Sequence, residues 1–464
     1  LSIRVVKGRR PNVCPFCQRQ MAAAAYDVRP ASPLPEESDE VRQRLRRTHQ
    51  RPSRGTVLAL SLASIALLSV AIYLQFTNIE HYWYAPLVNL YSLIVGIFII
   101  TRFFIAAFYS APPDTGYEPV VSVIVPCRNE ADSIAKTINR IYHEGYPHAK
   151  LEVIVVNDAS TDNTLHEMLQ AQARAPELVI VDFEHNRGLS QGMAVSALLA
   201  RGEILLYVDS DTFLLPGAVR KMVQGFADPR VGGVAGHTDV ENYGVNLLTK
   251  MQDVRYYVSY KIMKAAESVF GAVSCLPGCF SAYRKICVLH VLDKWVNTRF
   301  MGRYGAFGDD RSLTNFILRD YRLVYDDEAL ATTIAPEHWN KYVRQQARWT
   351  RSWVREIFVA SRFMWRKHPA AAIAWYAMMM LPVIEPIVMV QALIVGPILF
   401  GQMTSFYVFG ILAITLVWSL YFYEKTGRPH WWTGIVFTFS YALFFSWQVY
   451  YALATMRRTK WGTR

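Results

Sequence analysis

Hydrophobic positions along this chain fall into distinct regimes. Residues 55–76 (GTVLALSLASIALLSVAIYLQF) and 86–110 are near-continuous apolar runs, the second carrying only Arg102 as a charge. Each is long enough to cross about 30 Å of hydrocarbon as a helix. Residues 117–340 instead alternate short β-branched runs with helical stretches. VVSVIVPC, LEVIVVND, LVIVDF and EILLYVDSD read as strands buried on both faces of a parallel sheet. Residues 131–144 and 164–175 carry helical periodicity, so the alternation predicts a doubly wound, mostly parallel α/β domain. Ligands of such sheets bind beyond the C-terminal strand ends.

The pattern changes again after residue 340. Residues 341–368 mix Arg, Trp and Phe at helical spacing, which suits an amphipathic helix in the membrane interface. Residues 370–423 predict two further spans, the first with an interfacial lead-in broken by Pro382, Glu385 and Pro386, the second from 405 to 423. Glu385 is expected to face protein or a channel rather than lipid. Within 430–464, residues 430–456 are long enough to cross, yet Lys425 and Arg428 precede them and Arg457, Arg458, Lys460 and Arg464 follow. Basic residues at both ends favour an interfacial or re-entrant segment, with a further span as the alternative. Residues 1–54 lack apolar periodicity and read as a disordered basic tail, with Met21 opening a plausible reading frame and 1–20 a leader.

Charge sharpens this layout. The 464 residues are 52% apolar and 19% charged, with a net charge of +12. The excess Lys and Arg sit beside the apolar runs, as with Arg46, Arg47, Arg51 and Arg54 ahead of the first. That places the N-terminus and the central block in the cytoplasm of a multi-pass cell-membrane protein and argues against nucleic acid as a partner. Four of the six cysteines lie in the central block, where structural disulfides are not expected. Cys14 and Cys17 lack a second pair to complete a zinc shell.

Candidate chemistry collects at the strand ends. Asp209 and Asp211, in VDSD after an apolar strand, are hard oxygen ligands spaced to hold Mg²⁺ or Mn²⁺ against a diphosphate. Asp158 can accept the imide N–H of uracil or cap the following helix, and the two roles are compatible. Arg128 and Glu130 begin the next helix beside base and ribose. Asp310, in GDDRSLTN, is the candidate general base for an acceptor hydroxyl, with Asp309 as the alternative. Paired carboxylates push one pKa upward, which favours that role. Gln345, Arg348 and Trp349, in QQARW, share a helical face. Arg348 can clamp a diphosphate and Trp349 can stack on a sugar, or both can snorkel at the interface.

Taken in order, VPCRNE, VNDAST, VDSDT, GDDRSLTN and QQARW resemble the processive family-two glycosyltransferases of GT-A fold. The chain is most similar to hyaluronan synthases, with chitin synthases and nodulation chitin-oligosaccharide synthases as relatives. The resemblance covers about residues 85–464, and its finer marks are VAGHTDVEN, RYYVSY, CLPGCFSAYR, WVNTRFMG and WGTR. It implies UDP-sugar donors (UDP-GlcNAc, with UDP-GlcA in alternation), inversion at the anomeric carbon, and a growing polysaccharide threaded through the membrane region. It also implies that Asp209 and Asp211 contact the UDP–metal unit, that Asp310 is the base, and that Gln345, Arg348 and Trp349 lie near pyrophosphate and acceptor. Cys275 and the loop to Tyr283 would line the acceptor pocket, and Trp461 and Arg464 would lie near the substrate gate. Two departures stand out: Leu189 occupies a position where processive relatives often carry lysine, and CLPGC follows the chitin-synthase pattern. A chitin-type β-1,4-GlcNAc synthase is therefore the alternative, ahead of transfer of one sugar to a lipid carrier. A non-catalytic scaffold would have no use for Asp209, Asp211, Asp310 and Arg348 together.

Overall fold

The computed structural model describes residues 3–6, 86–304, 309–401 and 405–457, with scattered positions between 55 and 73. The expected span over 55–76, most of the tail over 1–54, and Trp461 and Arg464 thus lie largely or wholly outside the described residues.

Strands form where the β-branched runs fall. In chain order they are β1 (Ile3–Val6), β2 (Val121–Cys127), β3 (Leu151–Asn157), β4 (Val179–Phe183), β5 (Ile204–Val208), β6 (Thr212–Leu214), β7 (Val231–Val240), β8 (Phe280–Arg284), β9 (Arg299–Phe300), β10 (Arg303–Tyr304) and β11 (Arg322–Thr333). β9 and β10 make a small ribbon. The others form one 9-stranded sheet in the order β1-β4-β3-β2-β5-β8-β7-β11-β6. β2 to β5, β7 and β11 run one way, and β1, β6 and β8 run the other. The sheet is mixed but mostly parallel. One segment corrects the sequence reading: Ile3–Val6, expected within a disordered tail and leader, pairs antiparallel with β4, Val5 opposite Val181. Its IRVV sequence suits a strand, and the edge of β4 offers unpaired backbone groups to receive one.

Alternate residues of β2 face opposite layers. Val121, Val123 and Val125 pack with Ile134, Ile138 and Ile141 of helix Ile134–Tyr142. Ile124, between them, joins Met193 and Ala197 of helix Leu189–Leu199 and Val288 of helix Lys285–Val296 on the other side. Both faces are covered, as the unbroken apolar runs require. The ends of β2, β3 and β4 lie level, Cys127 opposite Asn157 and Asn157 opposite Asp182, so their following loops share one edge.

Among the described residues, three helices are long and apolar enough to cross a membrane: Pro86–Ala106, Pro369–Leu399 and Tyr407–Thr426. The second runs for 31 residues, about 46 Å at helical rise, more than the hydrocarbon is thick, so it must tilt or protrude. Pro382 and Pro386 do not interrupt it, and the helix continues through the π-turn Gln391–Val395. The following segment, Thr433–Ser440, Tyr441–Phe445 and Gln448–Ala454, packs on the amphipathic helix Trp339–Met364 and on helix Leu247–Val258. Phe445 stacks on Trp339, Val449 and Ala452 meet Val354, and Arg255 lies 5.3 Å from the Phe437 ring. Gly434 is needed at the crossing, because a Cβ there would come within 2.5 Å of Ser419 Oγ and 2.9 Å of Val254 Cγ1.

A buried ionic clasp joins the α/β unit to the turn between these last helices. Arg428 Nη1 donates to Asp253 Oδ1 at 2.6 Å and lies 3.5 Å from Asp239 Oδ2 through Nη2. His430 Nε2 is 2.7 Å from Asp253 Oδ2, and His237 Nε2 is 3.1 Å from Asp239 Oδ1. The charge pattern groups Arg428 with residues that flank the membrane, whereas the structure buries it in protein. A basic residue next to a span has the same sequence signature whether it meets headgroups or aspartates.

Candidate active site

β5 ends at Val208, and the chain turns at once. Thr212 N–H donates to the Asp209 carbonyl at 3.0 Å and starts β6 across the sheet. Asp209 and Asp211 flank this turn. Asp209 N–H donates to the Cys279 carbonyl at 3.3 Å, and Thr333 Oγ1 donates to Asp211 Oδ1 at 3.4 Å, from the end of β11. Both carboxyls are partly enclosed. Burial first, then Asp211 and Asp310, pushes Asp209 up to about 7, and Arg348 pulls the other way without reversing the shift. Burial likewise raises Asp211 to about 6.

Asp310 comes from a stretch of chain far from Asp209, at the start of helix Asp309–Leu318. Its Oδ2 accepts the Gly278 N–H at 3.3 Å and its Oδ1 accepts the Arg311 N–H at 2.8 Å. Gly278 separates the acidic groups. A Cβ placed on it would stand 3.7 Å from Asp209 Oδ1 and 3.7 Å from Asp310 Cβ. The absent side chain leaves a gap between two carboxylates, with Arg348 acting on the same site. Asp309 opens the helix, and its side chain lies outside the described residues.

The 275–279 loop, CLPGC, lines this gap. The Cys275 carbonyl accepts from Lys264 Nζ, and burial raises the thiol while Arg311 pulls it down and Asp310 up. Burial, then Asp209, pushes the Cys279 thiol up to about 12. Both therefore stay protonated, unreactive thiols at neutral pH. Trp349 lies 6.5 Å from the Tyr256 ring at 37°, and Gln345 accepts from Gln346 Nε2 at 3.4 Å.

Arg128 and Glu130 follow β2, one strand from β5, and Asp158 follows β3, two strand spacings or about 10 Å from the Asp209 turn on the same edge. Their loops are tightly tied. Asn129, at φ 57°, donates its N–H to Ser160 Oγ at 3.0 Å, and its Oδ1 accepts from Thr161 N at 2.8 Å. Glu130 N–H donates to Thr164 Oγ1 at 2.8 Å. Asp158 does not cap the following helix: Asp162 Oδ1 takes the Thr164 N–H at 3.0 Å instead. The Asp158 carboxylate accepts N–H groups of Arg187 at 2.7 Å and Gly188 at 3.0 Å, holding the HNRG loop. Each oxygen keeps a free lone pair for a ligand.

The arrangement suits a hard divalent cation. Among the described residues, no three His, Cys, Asp or Glu side chains form a closed metal cage. Two enclosed carboxylates with raised pKa values still offer anionic oxygens, and a diphosphate with water would complete the shell. Sequence reasoning named the loop from Cys275 to Tyr283 without singling out Gly278 in it, and it missed Thr333 as part of the site. A glycine's value is a missing atom, and a threonine's depends on partners from distant strands, so neither leaves a local signal.

Comparisons with known proteins return glycosyltransferases. Residues 122–289 match the family described as Glycosyl transferase family 2. A hyaluronan synthase from Streptococcus pyogenes is 26% identical over 423 residues, 89% of this chain and 97% of that protein. An N-acetylglucosaminyltransferase from Mesorhizobium japonicum is 31% identical over 283 residues, covering 59% of this chain and 66% of that one. A solved mannosyltransferase from Pyrobaculum calidifontis, in complex with GDP-Man and Mn²⁺, superposes with a TM-score of 0.53 at 22% identity. It covers 83% of this chain and 99% of its own, a likeness of fold.

Proposed function

Taking the chain as a hyaluronan-synthase-like glycosyltransferase of family two, we propose that it is a processive polysaccharide synthase. It transfers sugars from UDP-GlcNAc, alternating with UDP-GlcA, to a growing chain and passes the product across the membrane. The catalytic unit faces the cytoplasm, where nucleotide sugars are made, and the apolar helices hold it against the bilayer. The observation that carries the reading is the meeting of Asp209 and Asp310 across Gly278, with Arg348 beside them. Similarity to a hyaluronan synthase along nearly its whole length supports the polymer class.

The chemistry follows from these positions. Arg128, Glu130 and Asp158 hold the nucleoside end, roughly one to two strand spacings from the diphosphate. Asp209 and Asp211 would hold Mg²⁺ or Mn²⁺, which neutralises charge on the departing diphosphate. Arg348 binds the same diphosphate from the amphipathic helix. Asp310 accepts the proton of the acceptor hydroxyl as its oxygen attacks the anomeric carbon and the bond to UDP breaks, so the configuration inverts. Trp349 and the CLPGC loop position the acceptor sugar. In-line placement of base, hydroxyl and leaving group contributes most of the rate.

The test uses the purified full chain in detergent, given each labelled UDP-sugar singly and in pairs, with product digested by hyaluronidase or chitinase. Hyaluronidase-sensitive polymer formed only when both donors are present is expected. Chitinase-sensitive product from UDP-GlcNAc alone would favour the second reading, which CLPGC supports. A short lipid-linked product would overturn both.

A further inference from the structure

Thr314 is buried at 0% exposure, one helical turn after Asp310. Its hydroxyl contacts three groups: the Asp310 carbonyl at 2.7 Å, the Leu276 N–H at 3.0 Å and the Tyr283 hydroxyl at 3.3 Å. The proton assignment is fixed by chemistry. A carbonyl cannot donate and an N–H cannot accept, so the Thr314 hydrogen goes to Asp310 and Tyr283 donates to Thr314. One donor and two lone pairs are all used. A helical threonine commonly bonds back to the carbonyl four residues earlier. Receiving two further bonds from other elements is what sets this one apart.

Those bonds close a ring around the reactive gap. Asp310 Oδ2 holds the Gly278 N–H, two residues beyond Leu276, and Leu276 N–H returns through Thr314 Oγ1 to the backbone of Asp310. Cys279, next to Gly278, holds the backbone of Asp209. Tyr283 lies on β8 opposite Leu205 of β5, and its ring is 5.8 Å from Tyr207, two residues before Asp209.

We propose that Thr314, anchored by Tyr283, is a positioning residue that fixes the separation of the base Asp310 from the Asp209 side of the site. It touches neither donor nor acceptor. It acts by holding Asp310 and the 275–279 loop as one rigid piece, and it rests on the glycosyltransfer reading above. A hydroxyl that sets geometry affects turnover more than binding, since displacements of about 1 Å can cost on the order of a hundredfold in rate.

The experiment compares wild type, Thr314→Val, Thr314→Ser and Tyr283→Phe for kcat, KM of the UDP-sugar, UDP affinity and thermal midpoint. Thr314→Val keeps the shape and removes the hydroxyl. It should lower kcat by about 10- to 100-fold, with KM and UDP affinity within about twofold. Thr314→Ser should recover kcat to within about threefold, and Tyr283→Phe should lose about 3- to 10-fold in kcat at unchanged KM. Unchanged kcat in Thr314→Val, a Ser variant as defective as Val, or a loss carried by KM would each overturn the proposal. If Thr314→Val does not fold, Tyr283→Phe decides by the same criteria. An active wild type indifferent to these changes sinks this inference alone. A wild type that transfers no sugar sinks the underlying reading and this inference with it.

Discussion

Two enclosed acidic clusters lie on opposite sides of a single strand, and they are finished differently. On β7, Thr238 Oγ1 meets Cys279 Sγ at 3.5 Å on the active-site side, while His237 and Asp239 on either side of it point into the clasp. In the clasp, burial pushes Asp239 up, but His237 and Arg428 draw it well below the usual carboxylate range. Burial lowers Arg428, but Asp253 and Asp239 outweigh it and hold it charged. In the other cluster, burial and neighbouring carboxylates raise Asp209 to about 7 against the pull of Arg348. Residue types do not separate these clusters; electrostatic completion does. A closed cluster holds the fold together, whereas the one whose carboxylates are held at raised pKa values is the one we propose takes a cationic ligand.

The contrast can be broken in several ways, and the largest effect is expected at Asp310, the proposed base. Asp310→Asn should reduce transfer by about a thousandfold while UDP binding and thermal midpoint stay near wild type. Initial rates beside a UDP titration check this, and lost UDP binding would show that Asp310 serves the donor instead.

Stability should then separate the clusters. Arg428→Met leaves two enclosed aspartates facing each other and should cost about 3–5 kcal/mol. Asp209→Asn removes a charge that the fold holds at a cost, so its melting temperature should equal or exceed that of wild type without metal. Equal destabilisation by both variants in thermal melts would erase the distinction.

A smaller effect should appear with pH. The folded pKa of Asp209, about 7, exceeds the unfolded value near 3.8, so the native state holds more protons between these limits. Metal-free stability is then fully present at low pH and falls as pH rises through about 7. Conversely, Mn²⁺ must displace that proton, so its affinity should rise with pH from 6 and level off above 7. Asp209→Asn should flatten both trends. Asp239 is lowered, so the stability it contributes is present above its unfolded pKa and should stay constant across the same range. Melting curves from pH 5 to 8, with and without Mn²⁺, read both. The smallest effect is expected for Gly278→Ala, whose methyl would make ordinary contacts in the gap. It should lower kcat about 3- to 10-fold with no loss of stability.

Much of this molecule was legible in its sequence, because long β-branched runs and strand-end aspartates carry local signals. The runs at 120–127, 151–158, 178–183 and 203–211 each produced a strand in the central sheet. The signal failed where the determining contact was distant. Arg428 looked like a membrane-flanking charge because its partners Asp239 and Asp253 lie far back in the chain. Asp158 reads from sequence as a uracil contact that could also cap the next helix, but instead of capping, its carboxylate reaches the backbone at Arg187 and Gly188. Ile3–Val6 gained its strand from an edge that only the folded sheet supplies.

The most direct measurement is calorimetric titration of UDP into the purified full chain at pH 7.5, with and without Mn²⁺, for wild type and Asp209→Asn. If the 209/211 site is a waiting cation site, Mn²⁺ should tighten UDP binding by about tenfold or more in wild type and leave the variant unaffected. Equal UDP affinity in wild type with and without the ion would contradict it.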